Sequence, residues 1–195
     1  SLASHDLKEP LRKITLYTDI LQKNLETSPT TVIRQGLEKI HNASVRMRML
    51  MNGIAEFSRI NKGAEEFTAV DLNEVVSDVL SDLELMAGEV NAVVQVEKLP
   101  TIQAVKIQMH QLFLNIVSNA IKYAQQGVAP VIAIKQAENE EFVEISIADN
   151  GIGFDSAYAE KVFLPFQRLK SGNKEGTGIG LTICKRIVEA HGGTI

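Results

Sequence analysis

Two apolar seams with a seven-residue repeat, separated by a short breaker, constrain this chain more than any other feature. Ser4, Leu7, Leu11, Ile14, Thr18, Leu21 and Leu25 follow alternating spacings of three and four residues. That is the repeat of a helix packed along its length against another helix. After Thr27-Ser28-Pro29-Thr30 the alternation resumes through Ile33, Leu37, Ile40, Ser44, Met47, Met51, Ile54 and Ser58, flanked by Ala43, Leu50 and Phe57. So short a connector makes the two helices antiparallel neighbours. Two helices alone leave their seams uncovered, so a homodimer through these N-terminal helices, closing a four-helix bundle, is predicted. The alternative is a hairpin that packs on the rest of its own chain.

The repeat stops at Asn61-Lys62-Gly63-Ala64, and a second architecture begins. Phe67–Val70, Ala92–Val96, Val131–Gln136 and Phe142–Ala148 read as strands. Asn73–Met86, capped by Asp71, Lys106–Ala124 and a last helix from about Gly178 to Ala190 read as helices. This mixture predicts an α+β chain: a helical hairpin over residues 1–62, then a two-layer α/β sandwich with a mixed sheet over 63–195. With 45% hydrophobic residues among 195, a packed core is possible. The net charge of −4 gives no basic balance for nucleic acid, so no nucleic-acid partner is expected. No apolar run approaches the roughly 20 residues that span a bilayer. Cys184, the one cysteine, sits on the apolar face of the last helix and reads as a buried thiol. Both ends read as cut, because Ser1 starts inside a helical pattern and Thr194-Ile195 starts a strand-like one; a fragment is expected.

Two glycine-bearing loops bracket the polar segment before the last helix. Asp149 ends the strand Glu144–Ala148, where its carboxylate can accept a hydrogen bond from an adenine amino group, and Gly151 and Gly153 let the backbone approach a ring closely. Gly176-Thr177-Gly178-Ile179-Gly180-Leu181 runs into the last helix, whose first amides carry partial positive charge suited to phosphate. On the helix Lys106–Ala124, residues Asn115, Asn119, Lys122 and Tyr123 share one polar face. Asparagine is a poor helix-interior residue, and two of them one turn apart require a reason. One reason is coordination, with the Asn119 carbonyl oxygen on Mg²⁺ and Lys122 beside it for phosphate; the other is bonding to neighbouring loops. The polar, basic stretch from Phe154 to Gly176 reads as a mobile lid in which Arg168, Lys170 or Lys174 could offset phosphate charge.

Asn115-Ile116-Val117-Ser118-Asn119, Asp149-Asn150-Gly151-Ile152-Gly153, Phe163-Leu164-Pro165-Phe166-Gln167-Arg168 and Gly176–Leu181 resemble, in order, the N, G1, F and G2 boxes of sensor histidine kinases. Ser4-His5-Asp6-Leu7-Lys8-Glu9-Pro10-Leu11 resembles the H box of the same family, and HDLKEPLRKI with FQRL is similar to its phytochrome-like branch. The resemblance implies a dimeric, ATP- and Mg²⁺-dependent protein-histidine kinase. In it His5 attacks the γ-phosphate of ATP while Asp6 acts as general base or orients the ring, and the phosphoryl group passes to an aspartate of a response-regulator receiver domain. It also implies ATP contacts by Asn115, Asn119, Lys122, Tyr123, Asp149, Gly151, Gly153, Arg168, Thr177, Gly178, Gly180 and Leu181, and an upstream sensor domain. Pro10 cannot donate to the carbonyl of Asp6, so a kink beside His5 is expected.

Two departures refine the expectation. Related gyrase and heat-shock chaperone ATPases carry a water-activating glutamate where this chain has Asn115, an amide that cannot take up a proton, so simple hydrolysis is disfavoured. Glu9 stands where many family members have Thr or Asn to orient an attacking water, which disfavours dephosphorylation of a partner. The alternative function is a nucleotide-binding dimeric signalling scaffold without kinase activity.

Overall fold

In a computed structural model, the structure describes residues 2–24, 29–60, 66–138, 142–165, 167, 169 and 178–195, with the side chains of 2–7 and of several positions in the second helix outside that description. Helix α1 spans Leu2–Asn24 and α2 spans Thr30–Ile60. They pack against each other as the repeat requires. Pro10 lies inside α1, fully buried, and the helix runs unbroken through it.

Within one chain, the most buried row of α2 lies beside the predicted seam and includes Ala43 and Leu50, which the sequence reading placed on its flank. Gly36, Ala43, Leu50 and Gly53 are buried, whereas Leu37 and Met51, one residue further on, are 55% and 59% exposed. The reason is close approach: a methyl group on Gly36 would lie 2.9 Å from Leu21 Cδ2, so only a bare backbone admits the leucine there. Gly36, which a hydropathy pattern reads as a gap, thus admits the close approach of Leu21.

The remaining elements are β1 (Thr68–Asp71), α3 (Leu72–Asp82), α4 (Glu84–Glu89), β2 (Val93–Val96), β3 (Thr101–Ala104), α5 (Lys106–Lys122), β4 (Val131–Glu138), β5 (Val143–Asp149) and α6 (Gly180–Ala190), with short 3-10 turns at Ser156–Tyr158 and Lys161–Phe163. Strands β1 and β3 pair antiparallel; β2 runs parallel to β4, and β4 antiparallel to β5. The mixed sheet of the sequence reading is therefore present, beside a separate two-stranded ribbon whose partner β3 the reading did not contain. One predicted helix is two, because the chain turns at Leu83 with no glycine or proline to mark it.

Asp71 caps α3 as expected, its carboxylate accepting from the Asn73 N–H at 2.8 Å. Helices α3, α5 and α6 lie together on the sheet. Met109, Phe113, Val117 and Ile121 recur every four residues along α5 and bury against Ile132 and Ile134 of β4 and Ile183 and Ile187 of α6. Residues 61–65, which hold the predicted boundary, lie outside the described residues.

Candidate functional site

Helix α5 is the spine of the site, since both described glycine loops attach to it. At its end, the Tyr123 carbonyl accepts the Ile152 N–H at 2.9 Å. Eight residues back, about 12 Å along the axis, Asn115 Nδ2 donates to the Gly180 carbonyl at 3.4 Å while its Oδ1 accepts from Gln111 at 3.3 Å. Asn115 thus has the loop-bonding role that the sequence left open. Asn119, one turn on and half-buried, makes no side-chain hydrogen bond to another described residue, which leaves its carbonyl oxygen to a ligand. Lys122 closes α5 with its ammonium 5.7 Å from the centre of the Tyr123 ring.

The first loop is built around a close approach. Asp149 ends β5, exposed, and its Oδ1 accepts the Gly151 N–H at 2.8 Å. A methyl group on Gly151 would lie 2.6 Å from that oxygen and 2.7 Å from the Tyr123 carbonyl oxygen, so no larger residue fits without moving backbone. Gly153 adopts φ 56°, a left-handed value that favours glycine, and nothing lies within 4 Å of a Cβ placed there.

Asn150, which the sequence reading named only as part of a motif, and Gln125, which it did not name, hold the loop in place. Asn150 Oδ1 accepts from the Val131 N–H at 2.8 Å and its Nδ2 donates to the Ala129 carbonyl at 3.1 Å, which pins the loop to the start of β4. Gln125 Nε2 donates to the carbonyls of Asn150 and Gly151, both at 3.0 Å. An asparagine following a strand is a signal of such backbone bonding; nothing local marks Gln125.

At the other end, Gly178 has φ 71°, Ile179 caps α6 without a side-chain hydrogen bond, and Gly180 and Leu181 begin the helix. Its first turn can therefore present N–H groups to an anion. Lys185 of α6 sits 5.9 Å from the Phe163 ring centre, a cation–π contact between α6 and the second 3-10 turn. Arg168, Lys170, Lys174, Gly176 and Thr177, and the lid reading that rests on them, lie outside the described residues; so do the side chains of His5 and Asp6, whose backbone belongs to α1. Glu9 of α1 pairs with Lys13 at 2.8 Å. Burial behind α5 pushes the Cys184 thiol up to about 12, against a smaller opposing effect of Asn115. The buried-thiol expectation holds.

The Asp149–Gly151 loop and the opening of α6 are thus each tied to α5, the first through Tyr123 and the second through Asn115, with Asn119 on the helix between the two. Residues 1–63 match the model of the His Kinase A (phospho-acceptor) domain, and residues 104–195 that of the histidine kinase-, DNA gyrase B-, and HSP90-like ATPase. The chain is 32% identical over 195 residues to the phytochrome-like protein Cph1 of Synechocystis, covering all of this chain and 26% of that protein. It is 30% identical to the sensor protein kinase WalK of Staphylococcus haemolyticus, covering 98% of this chain and 32% of that one. The chain thus spans about a quarter to a third of these curated relatives. Its fold matches that of the histidine kinase ThkA, solved in complex with the response regulator protein TrrA, with TM-score 0.72, 24% identity and coverage of 97% of this chain and 53% of that one. A phospho-acceptor segment followed by an ATPase-type nucleotide domain, each carrying its expected motifs, makes the chain a member of the histidine kinase family.

Proposed function

We propose that this chain is the dimeric catalytic core of an ATP-dependent protein-histidine kinase that phosphorylates its own His5 and passes the phosphoryl group to an aspartate of a response-regulator receiver domain. The observation that carries the reading is the convergence on α5: Tyr123 holds the Gly151 loop and Asn115 holds Gly180, with the Asn119 amide facing no described partner between them. The base of ATP would lie at Asp149, Gly151 and Gly153, and its phosphates at Lys122 and the opening of α6, with Arg168 and Thr177 contributing from the lid. Asn119 would hold Mg²⁺, which when bound neutralises phosphate charge and draws triphosphate oxygens together.

In the transfer, an imidazole nitrogen of His5 attacks the γ-phosphorus. A P–N bond forms, the bond from γ-phosphorus to the bridging oxygen breaks, ADP departs, and the ring gives up its proton to Asp6. Asn115 cannot serve as a base toward water, which favours a side-chain acceptor over hydrolysis. The exposed Leu11 (55%), Leu37 (55%) and Met51 (59%) support pairing of two hairpins as a homodimer. Residues 1–62 would form the dimerisation and phosphotransfer hairpin and 63–195 the ATP-binding domain, working in the cytoplasm under an upstream sensor domain.

Incubation with γ-labelled ATP separates the possible activities. The reading expects protein-bound label that is labile to acid and stable to alkali, and that chases onto a receiver domain. Nucleotide binding without label would favour a signalling scaffold, acid-stable label a serine kinase, and free phosphate alone an ATPase.

A further inference from the structure

The hairpin and the nucleotide domain meet at a seat made by a missing side chain. Gly53 of α2 is buried, and a methyl group placed on it would lie 2.9 Å from Ile179 Cδ1, with Ile179 Cγ2 and Cβ next at 3.4 and 3.5 Å. One turn before it, Leu50 is 1% exposed and belongs to the same buried cluster as Ile179, Ile183 and Ile187. Ile179 is itself 3% exposed and stands between Gly178 and Gly180, at the cap of α6. The residue that plugs into α2 is therefore inside the loop that opens toward phosphate.

The register of the hairpin gives the seat its meaning. Leu21 of α1 faces Gly36 of α2. Sixteen residues back along α1 from Leu21 is His5, and sixteen residues forward along α2 from Gly36 is Asn52, the neighbour of Gly53. Antiparallel helices with the same rise per residue keep these positions level. The phosphate end of the nucleotide site is thus docked on the hairpin at the height of the phospho-acceptor.

We infer that Gly53 is a positioning residue for phosphoryl transfer: its bare backbone admits Ile179 and so sets the height and closeness at which the phosphate-binding loop meets the hairpin. The inference rests on the reading of His5 as acceptor. It follows that bulk at position 53 displaces the donor from the acceptor while leaving the nucleotide pocket on α5 intact.

The test measures the saturating rate of His5 labelling, the KM for ATP and the affinity for a fluorescent ATP analogue in the full chain and in Gly53→Leu, Gly53→Ala and Gly53→Ala/Ile179→Val. A displacement near 1 Å is expected to lower the saturating rate of Gly53→Leu by about tenfold to a hundredfold, with analogue affinity and KM near those of the starting chain. Gly53→Ala, which keeps helix α2 intact should the leucine not fold, is expected to lose less. Ile179→Val removes the Cδ1 atom that meets the new methyl, so the double variant is expected to regain the rate. Unchanged rates in both single variants, a faster rate, equal loss in analogue affinity, or no recovery in the double variant would each overturn the proposal. A starting chain that binds the analogue and takes no label would instead remove the kinase reading, and the proposal with it.

Discussion

Replacing Gly151 with alanine tests whether the first loop is shaped by the contact with α5. The new methyl would lie 2.6 Å from Asp149 Oδ1 and 2.7 Å from the Tyr123 carbonyl oxygen, well inside the separation at which carbon and oxygen attract. Relief requires the loop to leave α5. That movement breaks the hydrogen bond from Ile152 to Tyr123 (2.9 Å) and the one from Gly151 to Asp149 (2.8 Å). Each contributes about 1 kcal/mol, the carboxylate bond somewhat more. If the loop must be rebuilt to accept a base, the combined loss of about 2 kcal/mol weakens ATP binding roughly thirtyfold. Titration with a fluorescent ATP analogue reads the loss directly. Gly88→Ala, with no atom within 4 Å of its Cβ, serves as the control and is expected to bind normally. Binding by Gly151→Ala within twofold of the starting chain would refute the close-approach argument.

Other residues give independent checks. Cys184, the one cysteine, has its thiol held up to about 12 from an ordinary 9.0, so the native chain is expected to resist alkylation at pH 8 and to react once unfolded. Because the folded value is the higher one, the thiol's contribution to stability is complete below about 9 and falls as pH rises toward about 12, which denaturant titrations at pH 8 and 10 measure. His191 Nε2 accepts the buried Val105 N–H at 3.1 Å while its Nδ1 meets the Ile187 carbonyl at 2.7 Å; His191→Ala orphans the Val105 N–H, whereas the Ile187 carbonyl keeps the backbone N–H of residue 191, and is expected to cost about 1–3 kcal/mol of unfolding free energy. The Thr182 hydroxyl is buried with no partner among the described residues, so Thr182→Val is expected to raise stability by about 1 kcal/mol, read as a higher melting temperature.

Where a segment's packing repeats along its own length, the sequence disclosed it. Helices α5 and α6 lie within a residue or two of their predicted bounds, and α1 and α2 cover their predicted repeats to within a residue, because their apolar positions recur every three or four residues. The cap at Asp71 was legible for the same local reason. Strand β3 was not, since Thr101-Ile102-Gln103-Ala104 is too short to display an alternation and is defined by its pairing with β1. The close contact of α2 with Leu21 at Gly36 was not legible, because a glycine carries little hydropathy and yet admits the neighbouring side chain. In the site, residue types pointed to Asp149, Gly151 and Asn119, while only the fold reveals that Asn115 reaches Gly180 and that Gln125 braces the first loop. Both contacts join residues 25 or more positions apart, which no local pattern encodes.

The central claim is that ATP held along α5 is a phosphoryl donor for His5. Label incorporation from γ-labelled ATP, measured beside calorimetric ATP binding for the chain and for His5→Gln, tests it most directly. The account predicts acid-labile label in the chain, none in His5→Gln, and equal ATP affinity in both; label that persists in His5→Gln would contradict it.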